Sequence, residues 1–168
     1  MSNLKFLGNK FYFYFIFITS IFLIDRFSKI VIINKSEEIS SSEIFSSKFI
    51  NLHLIWNEGI AFGLFSFSNS STYQIMTLFI LSVILILIFY MLKTNMVSEK
   101  IGFILIIGGA IGNLFDRVFY SAVPDFIDVH INNFHWFIFN IADIFISLGV
   151  FFMILIELID NNKSNETV

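Results

Sequence analysis

The sequence predicts an all-α membrane protein, a bundle of four transmembrane helices, and three observations point there. Of its 168 residues 57% are hydrophobic and 14% charged, whereas roughly a quarter of a soluble domain is charged. The apolar residues fall in long blocks, not in the ~10-residue alternating segments of a membrane barrel. A single proline leaves those blocks free to stay helical, and 24 phenylalanines add bulk without polar handles. The chain has the length of one domain, residues 1–168, and no internal repeat.

The first helix is expected over 11–33. Lys5 and Lys10 precede the apolar block Phe11 to Ile24, as in a secretory signal, but no small-residue cleavage site follows. The block instead runs through Asp25, Arg26 and Lys29 into Ile30 to Ile33, which reads as a retained membrane helix. Helices two, three and four are expected over 73–93, 101–120 and 138–160, each near the ~20 apolar residues that cross the hydrocarbon layer. Four crossings bring both termini to one side. Lys5, Lys10, Lys93 and Lys100 would then be cytoplasmic, as the positive-inside tendency prefers, with Lys35 and Lys48 opposing it.

Two segments are left outside, 34–72 and a short one from Ser121 to Phe137. The stretch Phe49 to Phe65 mixes aromatic, β-branched and glycine residues, so short strands are expected there. Ser36 to Ser47 reads as a flexible approach, Ser66 to Ser71 as a loop, and the polar tail 161–168 as disordered.

Several chemistries are excluded or disfavoured. Without cysteine there is no thiol nucleophile, disulfide or thiolate-bound metal. His53, His130 and His135 form no HExxH helix, so no metal is expected and the histidines read as interfacial or structural. A net charge of -3 with scattered basic residues gives no nucleic-acid partner.

Charged residues within a membrane helix cost about 2.5 to 3.5 kcal/mol each on an insertion scale, which makes them functional candidates. Here they gather near one level. Asp25 and Lys29, four residues apart, can pair on one helix face. Asn113, Asp116 and Arg117 share a face of helix three, beyond Gly108, Gly109 and Gly112, which permit close approach of a neighbour. Asn140 and Asp143 share a face at the start of helix four, where Asp143 could simply cap the helix. Asp125 lies 18 residues earlier, in the segment linking helices three and four. Topology thus brings Asp125 and Asp143 to one depth, with Asp116 and Asp128 as rivals. A transporter would instead place its carboxylates near the midplane on a path open to both sides.

Taken in order, Asp25-Arg-Phe-Ser-Lys29, Asn57-Glu-Gly-Ile-Ala-Phe-Gly63, Gly108-Gly-Ala-Ile-Gly-Asn-Leu-Phe-Asp-Arg117, Val123-Pro-Asp-Phe-Ile-Asp128 and Phe139-Asn-Ile-Ala-Asp143 resemble the successive motifs of lipoprotein signal peptidases. The resemblance spans nearly the whole chain. It implies four transmembrane helices, a small extracytoplasmic β-cradle and an amphipathic outer segment, in the bacterial inner membrane with cytoplasmic termini and an extracytoplasmic active site. It implies a cofactor-free, monomeric aspartic endopeptidase in contact with membrane lipids. Its substrates would be prolipoproteins with a diacylglyceryl-modified cysteine, cut on the amino side of that cysteine. The positions matching the catalytic aspartates are Asp125 and Asp143. Those matching the substrate site are Asn57, Gly59, Asn113, Arg117 and Asn140, and those supporting it are Asp25, Lys29, Asp116 and Ala142. Pro124 stands where the family usually has an aliphatic residue, and Ile138 near a place where proline is common.

Two carboxylates held together at a membrane surface cannot both ionise cheaply, so one proton would be shared. The ionised member can activate water while the protonated one donates to the scissile carbonyl, and the pair titrates as a unit.

Overall fold

A computed structural model describes residues 2–59 and 70–165. Among them are four helices, α1 (Ser2–Ile39), α2 (Ser70–Lys93), α3 (Val97–Tyr120) and α4 (Ile141–Asn165). Four strands join them, β1 (Glu43–Ser46) and β2 (Ile50–Asn57) between α1 and α2, and β3 (Val123–Ile131) and β4 (Phe134–Phe139) between α3 and α4. Three helical segments are long and apolar enough to cross a membrane: Ser71–Lys93, Val97–Tyr120 and Ile141–Asp160. The 38-residue α1 is about 57 Å long at 1.5 Å per residue, more than one crossing requires.

Burial is distributed unequally among the helices. Buried residues make up 56% of the apolar window of α3, against 17% in α2 and 11% in α4. α3 is therefore the hub, packed on α1, α2 and α4, while the other two turn large residues such as Leu78, Phe79 and Phe151 outward. A helix apolar nearly all round suits a lipid solvent. The central cluster joins Ile21 of α1, Ile84 and Met91 of α2, and Ile104 and Ile107 of α3.

Close approach at α3 depends on its glycines. A methyl at Gly109 would collide with the Ala142 carbonyl at the start of α4, and one at Gly112 would lie 2.5 Å from Asp25 Oδ2. These two positions let α1 and α4 reach α3 at the level where the polar residues meet.

The strands form one antiparallel sheet in the order β1-β2-β3-β4. Strands were expected within Phe49 to Phe65, and β2 lies there, but the short segment from Ser121 to Phe137 is itself a hairpin that completes the sheet. Its turn is Asn132-Asn133, with Asn132 at φ 53°, a left-handed conformation that asparagine tolerates. Ile131 pairs with Phe134 across it. The expected flexible approach, Ser36 to Ser47, is the last turn of α1 followed by β1.

Helix boundaries also differ from those expected. α4 begins at Ile141, not 138, because Phe134–Phe139 is strand, and it continues to Asn165, so 161–165 of the expected disordered tail are helical. α3 begins four residues before 101, and α1 extends past 33 to Ile39. Residues 60–69 and 166–168, which include part of the expected amphipathic outer segment and most of the expected loop before α2, lie outside the described residues.

Pro124 sits second in β3, facing Trp56 of β2. β4 first pairs at Ile127, so the proline occupies a stretch with one neighbouring strand, where a missing N–H is tolerated.

Candidate active site

The register of β2 against β3 places Asp125. Ile55 pairs with Asp125 and Asn57 with Val123, so Asn57 and Asp125 point to the same side near the ends of their strands. Asn57 Nδ2 donates to Asp125 Oδ2 at 2.9 Å. The other carboxylate oxygen accepts from Asn140 Nδ2 at 2.6 Å. Asp125 is only 4% exposed.

Asp143 is placed by the start of α4. Asn140 precedes the first helical residue, and its Oδ1 accepts the Asp143 N–H at 3.1 Å. In return Asp143 Oδ2 accepts the Asn140 N–H, also at 3.1 Å. This reciprocal arrangement is a capping box, with aspartate in the third helical position. The capping role that the sequence allowed for Asp143 is thus real. Its second oxygen accepts from Asn113 Nδ2 of α3 at 2.8 Å.

Asn140 therefore links the two acids, holding Asp125 through its side chain and Asp143 through its backbone. Asp125 and Asp143 line one cavity of about 520 Å³, whose polar end also contains Asn57, Asn113 and Arg117. Its remaining wall is mostly apolar, with Ile80 of α2, Ala110 of α3, and Ile146, Val150 and Ile154 of α4, and with Ser147 one turn beyond Asp143. Burial pushes the Asp125 carboxyl up to about 6, and the neighbouring Asp143 charge adds to the rise.

Behind the pair stands a buried ionic cluster. Lys29 Nζ donates to Asp25 Oδ2 at 2.8 Å, Asn113 Oδ1 at 2.9 Å and Asp116 Oδ2 at 2.6 Å, using all three of its hydrogens. Arg26 closes the group on Asp116 Oδ1. The second oxygen of Asp25 accepts the Ala142 N–H at 3.0 Å, which ties the first turn of α4 to α1. Lys29, Asp25 and Asp116 have no exposed surface. A buried charge this far from water requires such complete pairing.

The sequence expectations meet this geometry unevenly. Asp25 and Lys29 pair as the four-residue spacing predicts. Asp116 is paired not to the adjacent Arg117 but to Lys29 and Arg26, a partnership between α1 and α3 that the local spacing conceals. Arg117 donates instead to two backbone carbonyls, Asn113 O at 3.1 Å and Gly59 O at 3.3 Å. Gly59 is held from the other side as its N–H donates to Asn57 Oδ1 at 2.9 Å. Asn57, Asn113 and Asn140, matched by resemblance to substrate contacts, direct side-chain hydrogen bonds to the two acids and their supports.

Asp128, the weaker rival, lies elsewhere in the sheet. It accepts from Asn51 at 3.2 Å and lies 2.8 Å from His135 Nδ1. His130 stacks on His135 with ring centroids 5.0 Å apart. Among the described residues no group of three or more His, Cys, Asp or Glu could hold a metal ion.

Sequence reasoning gave Arg26 no partner and assigned Ala142 no mechanism. The small side chain of Ala142 packs near Gly112 while its N–H serves Asp25. Side-chain chemistry gives no signal for a backbone donor.

A family model described as Signal peptidase (SPase) II matches residues 17–159. A lipoprotein signal peptidase of Pelagibacter ubique (strain HTCC1062) is 50% identical over 161 residues, covering 96% of this chain and 94% of that protein. Lipoprotein signal peptidases of Wigglesworthia glossinidia brevipalpis and Francisella tularensis subsp. novicida (strain U112) are 47% and 40% identical. They cover 83% and 90% of this chain, and 88% and 94% of their own length. Two solved structures of bacterial membrane enzymes superpose with TM-scores of 0.74 and 0.69, each at 27% identity. They cover 89% and 86% of this chain and 90% and 92% of their own. With its motifs in order and this match over most of its length, the chain belongs to the signal peptidase II family of membrane peptidases.

Proposed function

We propose that the chain is an aspartic endopeptidase that removes the signal peptide from prolipoproteins whose cysteine carries diacylglyceryl, with Asp125 and Asp143 as the catalytic pair. The observation that carries this reading is one cavity lined by two carboxylates, polar at that end and mostly apolar along the rest. An apolar wall suits a lipidated residue and the hydrophobic stretch of a signal peptide, and the acids stand where a peptide bond in that cavity would lie.

The charge balance favours a shared proton. Arg26, Lys29 and Arg117 face Asp25, Asp116, Asp125 and Asp143, which leaves one negative charge in excess. One proton shared by the pair cancels it, and the rise of the Asp125 carboxyl to about 6 through burial and the Asp143 charge supports a pair that titrates as a unit. The ionised partner then takes a proton from water as the water oxygen attacks the scissile carbonyl. The protonated carboxyl donates to the carbonyl oxygen. As the carbon–nitrogen bond breaks, the departing amine takes a proton and the pair returns to one. Asn57, Asn113 and Asn140 hold the carboxylates in position, while Arg117 and Gly59 border the substrate.

The same reading makes α1 the fourth crossing. Lys5 and Lys10, with Lys93 and Lys100, then lie on the cytoplasmic side of the bacterial inner membrane, and the sheet and the acids at its outer face. The protein works as a monomer among lipids, and no metal enters the reaction.

The test is cleavage by the purified full chain in detergent of one prolipoprotein with and without diacylglyceryl on its cysteine, each with and without a chelator. Cleavage confined to the lipidated form and unaffected by chelation is expected. Equal cleavage of the unlipidated form would sink the substrate assignment.

A further inference from the structure

Tyr73 has a feature that bulk alone does not account for. It lies in the first turns of α2, is 9% exposed, and its hydroxyl has no hydrogen-bond partner among the described residues. A buried phenol normally finds one. The chain has 24 phenylalanines and 5 tyrosines, so it commonly fills apolar space without a hydroxyl.

Position connects this hydroxyl to the cavity. Tyr73, Met76 and Ile84 are buried along α2, and with Ile80 they follow the i, i+3, i+7, i+11 spacing of one helix face. Ile80 belongs to the cavity wall. Tyr73 therefore stands on the inward face of α2 that also carries Ile80, two turns or roughly 10 Å along the helix from it, without itself lining the cavity. It lies within electrostatic reach of Arg117, Asp116 and Glu58, at the polar end where both acids are found. Arg117 shares the anomaly: Nη1 and Nη2 hold backbone carbonyls, but its Nε is buried with no partner among the described residues. Two enclosed donors without partners among the described residues thus belong to neighbouring side chains, of which Arg117 lines the cavity and Tyr73 lies next to it in the electrostatics of the site.

We infer that Tyr73 is a substrate-positioning residue whose hydroxyl donates a hydrogen bond to a main-chain carbonyl of the signal peptide as it lies between α2 and α4. A main-chain carbonyl is the partner that a sequence-tolerant donor requires. It is present at every residue and has two lone pairs, so it can take the phenol alone or together with Arg117 Nε. An apolar signal segment brings such carbonyls into a place with little water, where a waiting donor is most effective. The hydroxyl, without a partner among the described residues, is satisfied in the complex. This inference rests on the proposed peptidase reading.

Tyr73→Phe removes one oxygen and retains the ring, so its test does not depend on refolding the core. Steady-state cleavage of a diacylglyceryl-modified prolipoprotein peptide by the full chain in detergent is measured for both proteins, together with thermal unfolding. The expected result is a KM about three- to tenfold higher in the variant, the loss of one neutral hydrogen bond, with kcat within about twofold. The unfolding midpoint should be equal or higher, because an unsatisfied buried hydroxyl has been removed. An unchanged KM would overturn the inference. A lower midpoint accompanied by a fall in kcat alone would also overturn it, because that marks a structural hydroxyl. No cleavage by the unsubstituted chain would defeat the proposed function itself, and this inference with it.

Discussion

Two groups of carboxylates meet at the same level of the bundle, and their surroundings differ. Asp25 and Asp116 are fully enclosed and directly paired with cations, through Lys29 and Arg26. Asp125 and Asp143, among the described residues, accept hydrogen bonds from amides of Asn57, Asn113 and Asn140, and line a cavity. An amide orients a carboxylate without supplying a charge to balance it. The first pair of acids is therefore a charge-paired brace, while the second lacks a directly paired cation among the described residues and has space beside it for substrate, as the proposed shared proton requires. The residue type is the same; the neighbours assign the role.

The largest expected effect comes from breaking the second group. Asp125→Asn and Asp143→Asn should each lower kcat by at least about 10³-fold, the upper part of the range for losing a positioned acid or base. Both variants should still insert and unfold cooperatively, which purification and thermal scans in detergent will check. Full cleavage by either one refutes its catalytic role.

Breaking the first group should act on stability before chemistry. Lys29→Met removes the cation paired with Asp25 and one of the two cations on Asp116. Losing one side of a buried pair typically costs about 3 to 5 kcal/mol. Unfolding in detergent should shift accordingly, and cleavage should fall because Asn113 loses the Lys29 donor on its carbonyl oxygen. A stable Lys29→Met protein with unchanged activity would show that the two groups are independent.

The smallest effect is the pH response. Because Asp125 keeps its proton to about 6 through burial and the Asp143 charge, the singly protonated pair is lost as pH rises through that value. kcat/KM should therefore decline above about pH 6, and kcat at a higher pH if bound apolar substrate excludes water. Stability follows the same sign. The folded state binds this proton more tightly than an unfolded chain, whose aspartate titrates near 3.8, so stability falls as pH rises from about 4 to 6. In Asp143→Asn the midpoint of that stability change should move to lower pH, since one cause of the rise has been removed. An unmoved midpoint would mean that burial alone sets it.

Much of this was legible from spacing. Local periodicity relates residues three and four apart, which is how Asp25 and Lys29 could be paired in advance, and how Asn140 and Asp143 could be assigned to one helix start. The β3–β4 hairpin also left a signal, since Asn132-Asn133 separates two runs rich in aromatic and β-branched residues. Its placement between two membrane helices made it read as a short link. The partners of Asp116 had no such signal, because Arg117 beside it in sequence is the wrong cation. Lys29 and Arg26 are 87 and 90 residues away.

The sequence by itself determined the lipid-solvated helices, the motif order and hence the family, because these depend on composition and on short-range spacing. Only the tertiary structure decided which carboxylates are paired directly with cations and which line the cavity. That outcome depends on α3 approaching α1 and α4 closely at Gly112 and Gly109, and on the β2–β3 register that brings Asn57 to Asp125. Charge balance in a buried site is a property of neighbours in space, and in this chain those neighbours come from five separate segments, α1, β2, α3, β3 and α4.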